Sequence, residues 1–170
     1  LVELAALTDD RLVPQAVAST LKVKEEAGRP VIEALVKYVN DRRLLVLLDN
    51  CEHLLQGCAE LAKQLLQSGS PMKILASSRE PLRIAGEVTY PVPALAFPGL
   101  SRMITPAALA EYEAVRLFID RAVAAQSTFR VTDQNAAALA SVCHRLDGIP
   151  LAIELAAART RSLSVENIVA

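Results

Sequence analysis

An α/β fold is what this sequence predicts: a parallel sheet with flanking helices, followed by a smaller and wholly helical part. Three observations carry that expectation. "LLVLLD" at 44–49 is a continuous apolar run without alternation, the pattern of a parallel strand buried on both faces. Strand-like and helix-like stretches alternate up to Arg79 in the order strand, helix, helix, strand, helix, strand, which favours parallel strands with helices on both sides of the sheet. Beyond about residue 108 only helical periodicity remains.

Residues 1–5 predict a short first strand. "TDD" at 8–10 offers N-caps to a helix over about 11–22, and Pro14 falls in or near its first turn, where a proline is best tolerated. Gly28 interrupts the chain and Pro30 opens a helix over 30–41, whose Ile32, Leu35, Val36 and Val39 recur at i, i+3, i+4 and i+7 and so share one face. After "LLVLLD" the period switches at Glu52: Leu54, Leu55, Cys58, Leu61, Ala62, Leu65 and Leu66 form a helical stripe that ends near "SGSP". "KILASS" at 73–78 is the next strand. "EVTYPVP" at 87–93 reads as one more edge strand, and Pro91, Pro93, Pro98 and Pro106 with Gly99 mark a connection over about 91–108. Helices follow over 110–126, 133–146 and 150–161, and a fourth starts at Ser164. The boundary between an α/β part, 1–99, and a helical part, 100–170, is placed near residue 100.

Composition narrows the partners. Hydrophobic residues make up 52% and charged residues 22%, as in globular chains at the apolar end of their range. With 18 basic and 19 acidic residues the net charge is −1, so no nucleic-acid or membrane surface is announced, and DNA contact is expected only through other domains. No apolar run approaches the roughly 18 residues of a membrane span. Three cysteines are an odd and sparse set, unlike a secreted disulfide framework, and point to the cytoplasm. The chain begins without Met at "LVELAAL" and reads as the interior of a longer protein.

In open parallel sheets ligands bind beyond the carboxyl ends of the strands, where Asp49 stands. A charge directly after a buried strand is costly unless it is solvated, paired or bound to a cation. The strand alone allows two readings: an acid that holds Mg²⁺ near nucleotide phosphates, as in P-loop proteins, or a cap for the following helix. "ILASSRE" adds Ser77, Ser78 and Arg79 at the same edge. A guanidinium there suits bidentate phosphate contact, against the blander reading of a solvated loop arginine. In "CHRLDGIPLAIELAAAR" at 143–159, Gly148 ends one helix and Pro150 begins the next, with Leu151, Leu155 and Ala156 as a packing stripe.

In this order and spacing, "LLVLLDNCEHL", "KILASSREPL", "EYEAVRLFIDRA" at 111–122 and "CHRLDGIPLAIELAAAR" resemble the NB-ARC branch of the STAND signal-transduction ATPases. Bacterial look-alikes include predicted ATPases and transcriptional regulators of the LuxR and AfsR types. The resemblance covers nearly the whole chain. It implies a P-loop NTPase-like α/β domain followed by a small helical lid, with ATP or ADP buried between them. It further implies a closed ADP state, and opening and self-association of the full-length protein in the ATP state. On the same basis Asp49 corresponds to the Walker B acid that helps hold Mg²⁺ and serves catalysis. Ser78 and Arg79 correspond to the sensor strand, with Arg79 facing the terminal phosphate, and Pro150 to the GLPL proline that packs near adenine. The function implied is an ADP/ATP-dependent switch within a transcriptional regulator, itself a slow ATPase. The alternative is a nucleotide-independent oligomerisation scaffold of the same fold.

The sequence also departs from that pattern. Many relatives carry a second acid where Asn50 stands, and an amide cannot accept a proton from water. Glu52 is the candidate catalytic substitute if the backbone stays extended for two more residues; if a helix has begun, it is a first-turn acid favoured by the helix dipole. No G-x-x-x-x-G-K-[ST] phosphate loop occurs, so these residues resemble a fragment that starts after the Walker A helix and are expected to bind nucleotide weakly or not at all. Cys51, His53 and Cys58, with Cys143 and His144, lack a C-x-x-C pair, and a zinc reading is rejected: Cys58 and Cys143 fall on apolar stripes. His53 and His144 read as partly exposed helix residues. The last helix pair could be mistaken for a helix-turn-helix, but its second helix offers mostly Ala, Leu and Ile and reads as buried, not as base-reading.

Overall fold

Three short strands run parallel because each is returned to the same edge by a helical crossover: β1, Val2–Glu3, β2, Leu45–Asp49, and β3, Lys73–Ala76, stand in the order β1-β2-β3. The computed structural model describes residues 1–24, 28–69, 71–99 and 105–169. It divides the chain into two units, Leu1–Tyr90 and Pro91–Ala170.

In the first unit α1, Val13–Leu21, and α2, Val31–Val39, join β1 to β2, and α3, Leu55–Gln67, joins β2 to β3. Pro14 lies in the first turn of α1, where its missing N–H has no helical partner to lose. The apolar faces of all three helices meet one face of the sheet: Val17, Leu35, Val39, Cys58, Leu61 and Leu65 close over Val2, Leu4, Val46 and Leu48. Gly57 allows α3 to approach the turn at Asp10, since an added Cβ would lie 2.5 Å from the Asp10 carbonyl oxygen. The expectation of helices on both sides is not met among the described residues. Leu45 and Leu75, on the opposite face of the sheet, are 58% and 57% exposed. β2 thus buries Val46 and Leu48 and leaves Leu45 open, an alternation that its unbroken apolar sequence concealed.

"EVTYPVP" forms no strand. Val88 and Val92 are 90% and 86% exposed, and Pro91 and Pro93 remove two of the N–H donors that a ladder would need. The division falls after Tyr90 and not near 100, because the segment that follows is bonded to the helical unit. Leu95 N–H donates to Gly148 O at 3.0 Å, Ala114 N–H donates to Ala96 O at 3.0 Å, and Phe97 meets the His144 ring edge-on at 5.5 Å. The connection is a strap on the second unit.

That unit contains α4, Pro106–Leu109, α5, Glu113–Ala125, α6, Ala136–Arg145, α7, Pro150–Ala158, and α8, Val165–Val169. The short α4 was not foreseen; the Thr105 hydroxyl accepts from Ala108 N–H at 3.3 Å and caps it, so α5 begins at Glu113 and not at 110. Phe118, Leu109, Leu139 and Ile153 centre the core, and Phe118 meets Phe129 at 6.1 Å between ring centroids. The stripe expected on α7 is corrected: Ile153 and Ala157 are buried, whereas Leu151 and Leu155 are 65% and 63% exposed. α7 is therefore not a buried helix. Among the described residues no helix is long and apolar enough to cross a membrane.

Gly148 has φ +67°, and a Cβ built on it would lie 2.1 Å from the Leu95 carbonyl oxygen. Gly148→Ala is therefore expected to cost roughly 2–4 kcal/mol, combining left-handed strain with displacement of the strap. Urea unfolding followed by circular dichroism checks this, and a midpoint equal to that of the wild type would refute the assigned packing.

Candidate functional site

The exits of β2 and β3 are tied by one side chain. The register that pairs Leu48 with Ala76 brings Ser77 opposite Asp49. The Ser77 hydroxyl donates to Asp49 Oδ1 and accepts from Asn50 N–H at 3.0 Å. Its backbone does the rest: Ser77 N–H donates to Leu48 O at 2.9 Å, and Cys51 N–H donates to Ser77 O at 3.0 Å. Asp49 is thereby held at the carboxyl edge, solvent-exposed, with Glu3 of β1 beside it in register. The sequence places both Ser77 and Ser78 at this edge and the resemblance singles out Ser78, but the Ser78 hydroxyl accepts from Glu80 N–H at 3.3 Å and shapes the following turn instead. Ser77 is the residue that Asp49 uses, and the strand register is what distinguishes it from Ser78.

Asn50 stands at φ 69°, ψ 51°. Asparagine accepts this left-handed conformation more readily than most residues, and it turns the chain at once from strand to the 3₁₀ turn Cys51–His53. The extended alternative for Glu52 is thereby excluded. Its carboxylate lies in the turn, 25% exposed, with Oε1 3.4 Å from Nε of Arg79, whose side chain is 88% exposed. The structure thus brings Asp49, Glu52, Ser77 and Arg79 to one edge and pairs the last acid with the arginine. His53 is also recruited: its Nε2 lies 3.2 Å from Leu4 O and 2.9 Å from Leu7 O. Two carbonyls can only accept, so Nε2 carries the proton, and the ring links the exit of β1 to that of β2. Helical periodicity gave no sign of this role.

Among the described residues no group of three or more His, Cys, Asp and Glu is placed to hold a metal ion. An exposed carboxylate beside a hydroxyl fits Mg²⁺ that keeps most of its waters and takes the rest of its shell from phosphate. The cysteines belong to the cores, all three buried. A hydrogen bond from Cys58 favours the Cys51 thiolate and lowers its pKa, while that bond and burial raise the pKa of Cys58. Burial pushes Cys143 up to about 12.

Pro150 belongs to the second unit. It is exposed at the first position of α7, after Asp147 at φ 48° and Gly148 at φ 67°, two successive left-handed residues that reverse the chain between α6 and α7. Two concavities, of about 600 Å³ beside Asp10 and Ile32 and about 470 Å³ beside Phe129 and Thr160, lie elsewhere. Neither is lined by Asp49, Glu52, Ser78, Arg79 or Pro150.

No protein-family model matches the chain, and no solved structure does. Over 163 residues it is 44% identical to a protein of Mycobacterium tuberculosis provisionally named an HTH-type transcriptional regulator, a match that covers 96% of this chain and 17% of that protein. A protein of Mycobacterium bovis with the same kind of name matches equally. An uncharacterized protein of M. tuberculosis is 39% identical over 168 residues, or 99% of this chain and 39% of its own length. The chain therefore spans only a minor part of the curated relatives it matches.

Ser77→Ala removes one donor and one acceptor from the β2–β3 exit and is expected to cost about 1 kcal/mol, with Ser77→Thr milder. Urea midpoints check this; equal stability of the alanine variant would show that the tie contributes nothing. With their thiols buried, the three cysteines are expected to resist iodoacetamide at pH 8 until denaturant is added, as mass spectrometry would read. Prompt labelling of Cys58 or Cys143 in the folded chain would contradict that burial.

Proposed function

We propose that this chain is the core and lid segment of a nucleotide-dependent regulatory switch of the NB-ARC type, acting in the cytoplasm. The observation that carries the reading is that Asp49 ends one strand and Arg79 follows the end of the adjacent parallel strand, Asp49 held by Ser77 and Arg79 met by Glu52. An acid and an arginine at neighbouring strand ends suit a Mg²⁺–phosphate group, the cation drawn to the carboxylate and a phosphate oxygen to the guanidinium. The names of the longer mycobacterial relatives support a regulatory setting.

In this reading Asp49 holds Mg²⁺ through water, Arg79 senses the terminal phosphate, and Ser78 shapes the turn that presents Arg79. Pro150 lines the adenine pocket, an assignment carried by the motif resemblance. Bound Mg²⁺ would supply charge neutralisation at the phosphates. Asn50 offers no base, and the left-handed turn at Asn50 carries Glu52 into a 3₁₀ turn and off the extended path beside Asp49, so hydrolysis is slow. Exchange of ADP for ATP opens the protein to self-association, and DNA is read by other domains. The second reading, a nucleotide-independent scaffold, draws on the open face of the sheet, where Leu45 and Leu75 stand exposed.

Calorimetry with ADP and ATP in the presence of Mg²⁺ tests the proposal on a polypeptide extended upstream through the expected phosphate loop. Arg79→Ala is expected to weaken ATP by roughly 10- to 100-fold, the worth of a charge-assisted contact, and to leave ADP nearly unchanged. Asp49→Ala is expected to remove the dependence on Mg²⁺. No binding by the folded wild type would sink the switch and leave the scaffold.

A further inference from the structure

We infer that Glu52 is a positioning residue that competes with a terminal phosphate for Arg79, so that arrival of that phosphate releases the Glu52 carboxylate. The inference rests on the nucleotide reading above and deepens it.

The geometry follows from the backbone. Asn50 at φ 69° ends the strand and starts the 3₁₀ turn, which puts Glu52 one turn past the exit of β2. Ser77 holds the exit of β3 against that of β2, and Arg79 follows two residues later. The result is a contact of 3.4 Å between residues 27 positions apart in sequence, fixed by the sheet and not by local helix spacing. Had the chain stayed extended after Asp49, this contact would not follow from the register.

The burial of the two partners is unequal, and that inequality gives the pair its direction. The Glu52 side chain is 25% exposed and that of Arg79 is 88% exposed. The acid is the anchored partner, and the long arginine is free to swing. The contact uses Nε, and a guanidinium has four further N–H donors. A pair so open to water is weakly held, in the range of exposed ion pairs. A phosphate oxygen with two formal charges nearby is a stronger partner than one carboxylate, so a triphosphate displaces Glu52 whereas a diphosphate, ending short of Arg79, does not. Two consequences follow together. Arg79 is parked on Glu52 when the third phosphate is absent, and Glu52 is unpaired when it is present. The number of phosphates is thus converted into the state of a carboxylate at the exit of β2.

The test uses the same upstream-extended polypeptide, with ATP and ADP as probes, in the wild type, Glu52→Gln, Arg79→Ala and the double variant. Glu52→Gln preserves shape and removes the competing charge. It is expected to bind ATP roughly two- to fivefold more tightly than the wild type, with ADP unchanged, and the gain is expected to vanish when Arg79 is alanine. In the nucleotide-free protein the Arg79 Nε–Hε resonance is expected to move on Glu52→Gln and, in the wild type, on adding ATP but not ADP. If ATP binding depends on Arg79 but Glu52→Gln binds ATP no better than the wild type, or the gain survives without Arg79, the competition is overturned and the switch stands. An Arg79 Nε–Hε resonance indifferent to Glu52→Gln overturns it likewise. If the folded wild type binds neither nucleotide, both the switch and the competition fall.

Discussion

The pairing of β2 with β3, closed at its carboxyl end by Ser77, is the constraint on which the site depends. Parallel strands bring their exits to the same edge, but an exit left to itself frays, because the last carbonyls and N–H groups have no further ladder partner. Here one serine joins both strands through its hydroxyl and its backbone. Asp49 is thus fixed without being buried. The neighbouring left-handed Asn50 then turns the chain abruptly enough to bring Glu52 within reach of Arg79. His53 adds a tie to β1 through two carbonyls, so all three strand exits are braced.

The helical unit has a constraint of its own. The turn between α6 and α7 is left-handed at two successive residues, and the strap at Leu95–Phe97 passes so close to Gly148 that a side chain there has no room. Strap, turn and the start of α7 therefore form one packed element, which holds Pro150 at the beginning of its helix. The same arrangement leaves Leu151 and Leu155 in solvent, while Ile153 and Ala157 take the core. On that outer side the polar side chain of α7 is Glu154, paired with Arg121 at 3.3 Å, which keeps the helix unlike a DNA-reading one even though it is not buried.

Asn50 and Glu52 together describe how this edge differs from one that carries two adjacent acids. The amide at Asn50 serves conformation: its φ is the useful property, and its side chain has no proton to move. The acid two positions later is the one that meets a cationic group, and it meets Arg79, 27 residues on. The chemistry of the edge is thereby shifted from an acid pair toward an acid–arginine pair.

The sequence by itself determined the order of strands and helices as far as β3, the apolar faces of α2, α3 and α6, and the location of Asp49, Arg79 and Pro150 near element ends. These are local properties: periodicity, proline and glycine punctuation, and a charge after an apolar run can be read within a dozen residues. Tertiary structure decided the rest. Whether β2 is covered on one face or two depends on which helices pack there, and an unbroken apolar run is compatible with either. Whether Leu151 and Leu155 or Ile153 and Ala157 face the core depends on rotation of a helix that is apolar nearly all round. The partner of Asp49 depended on one step of register, the partner of Arg79 on a left-handed asparagine, and the strap on contacts between Leu95 and Gly148. Each of these joins residues far apart in the chain, and local pattern carries no information about a distance that only the packed sheet or helices define.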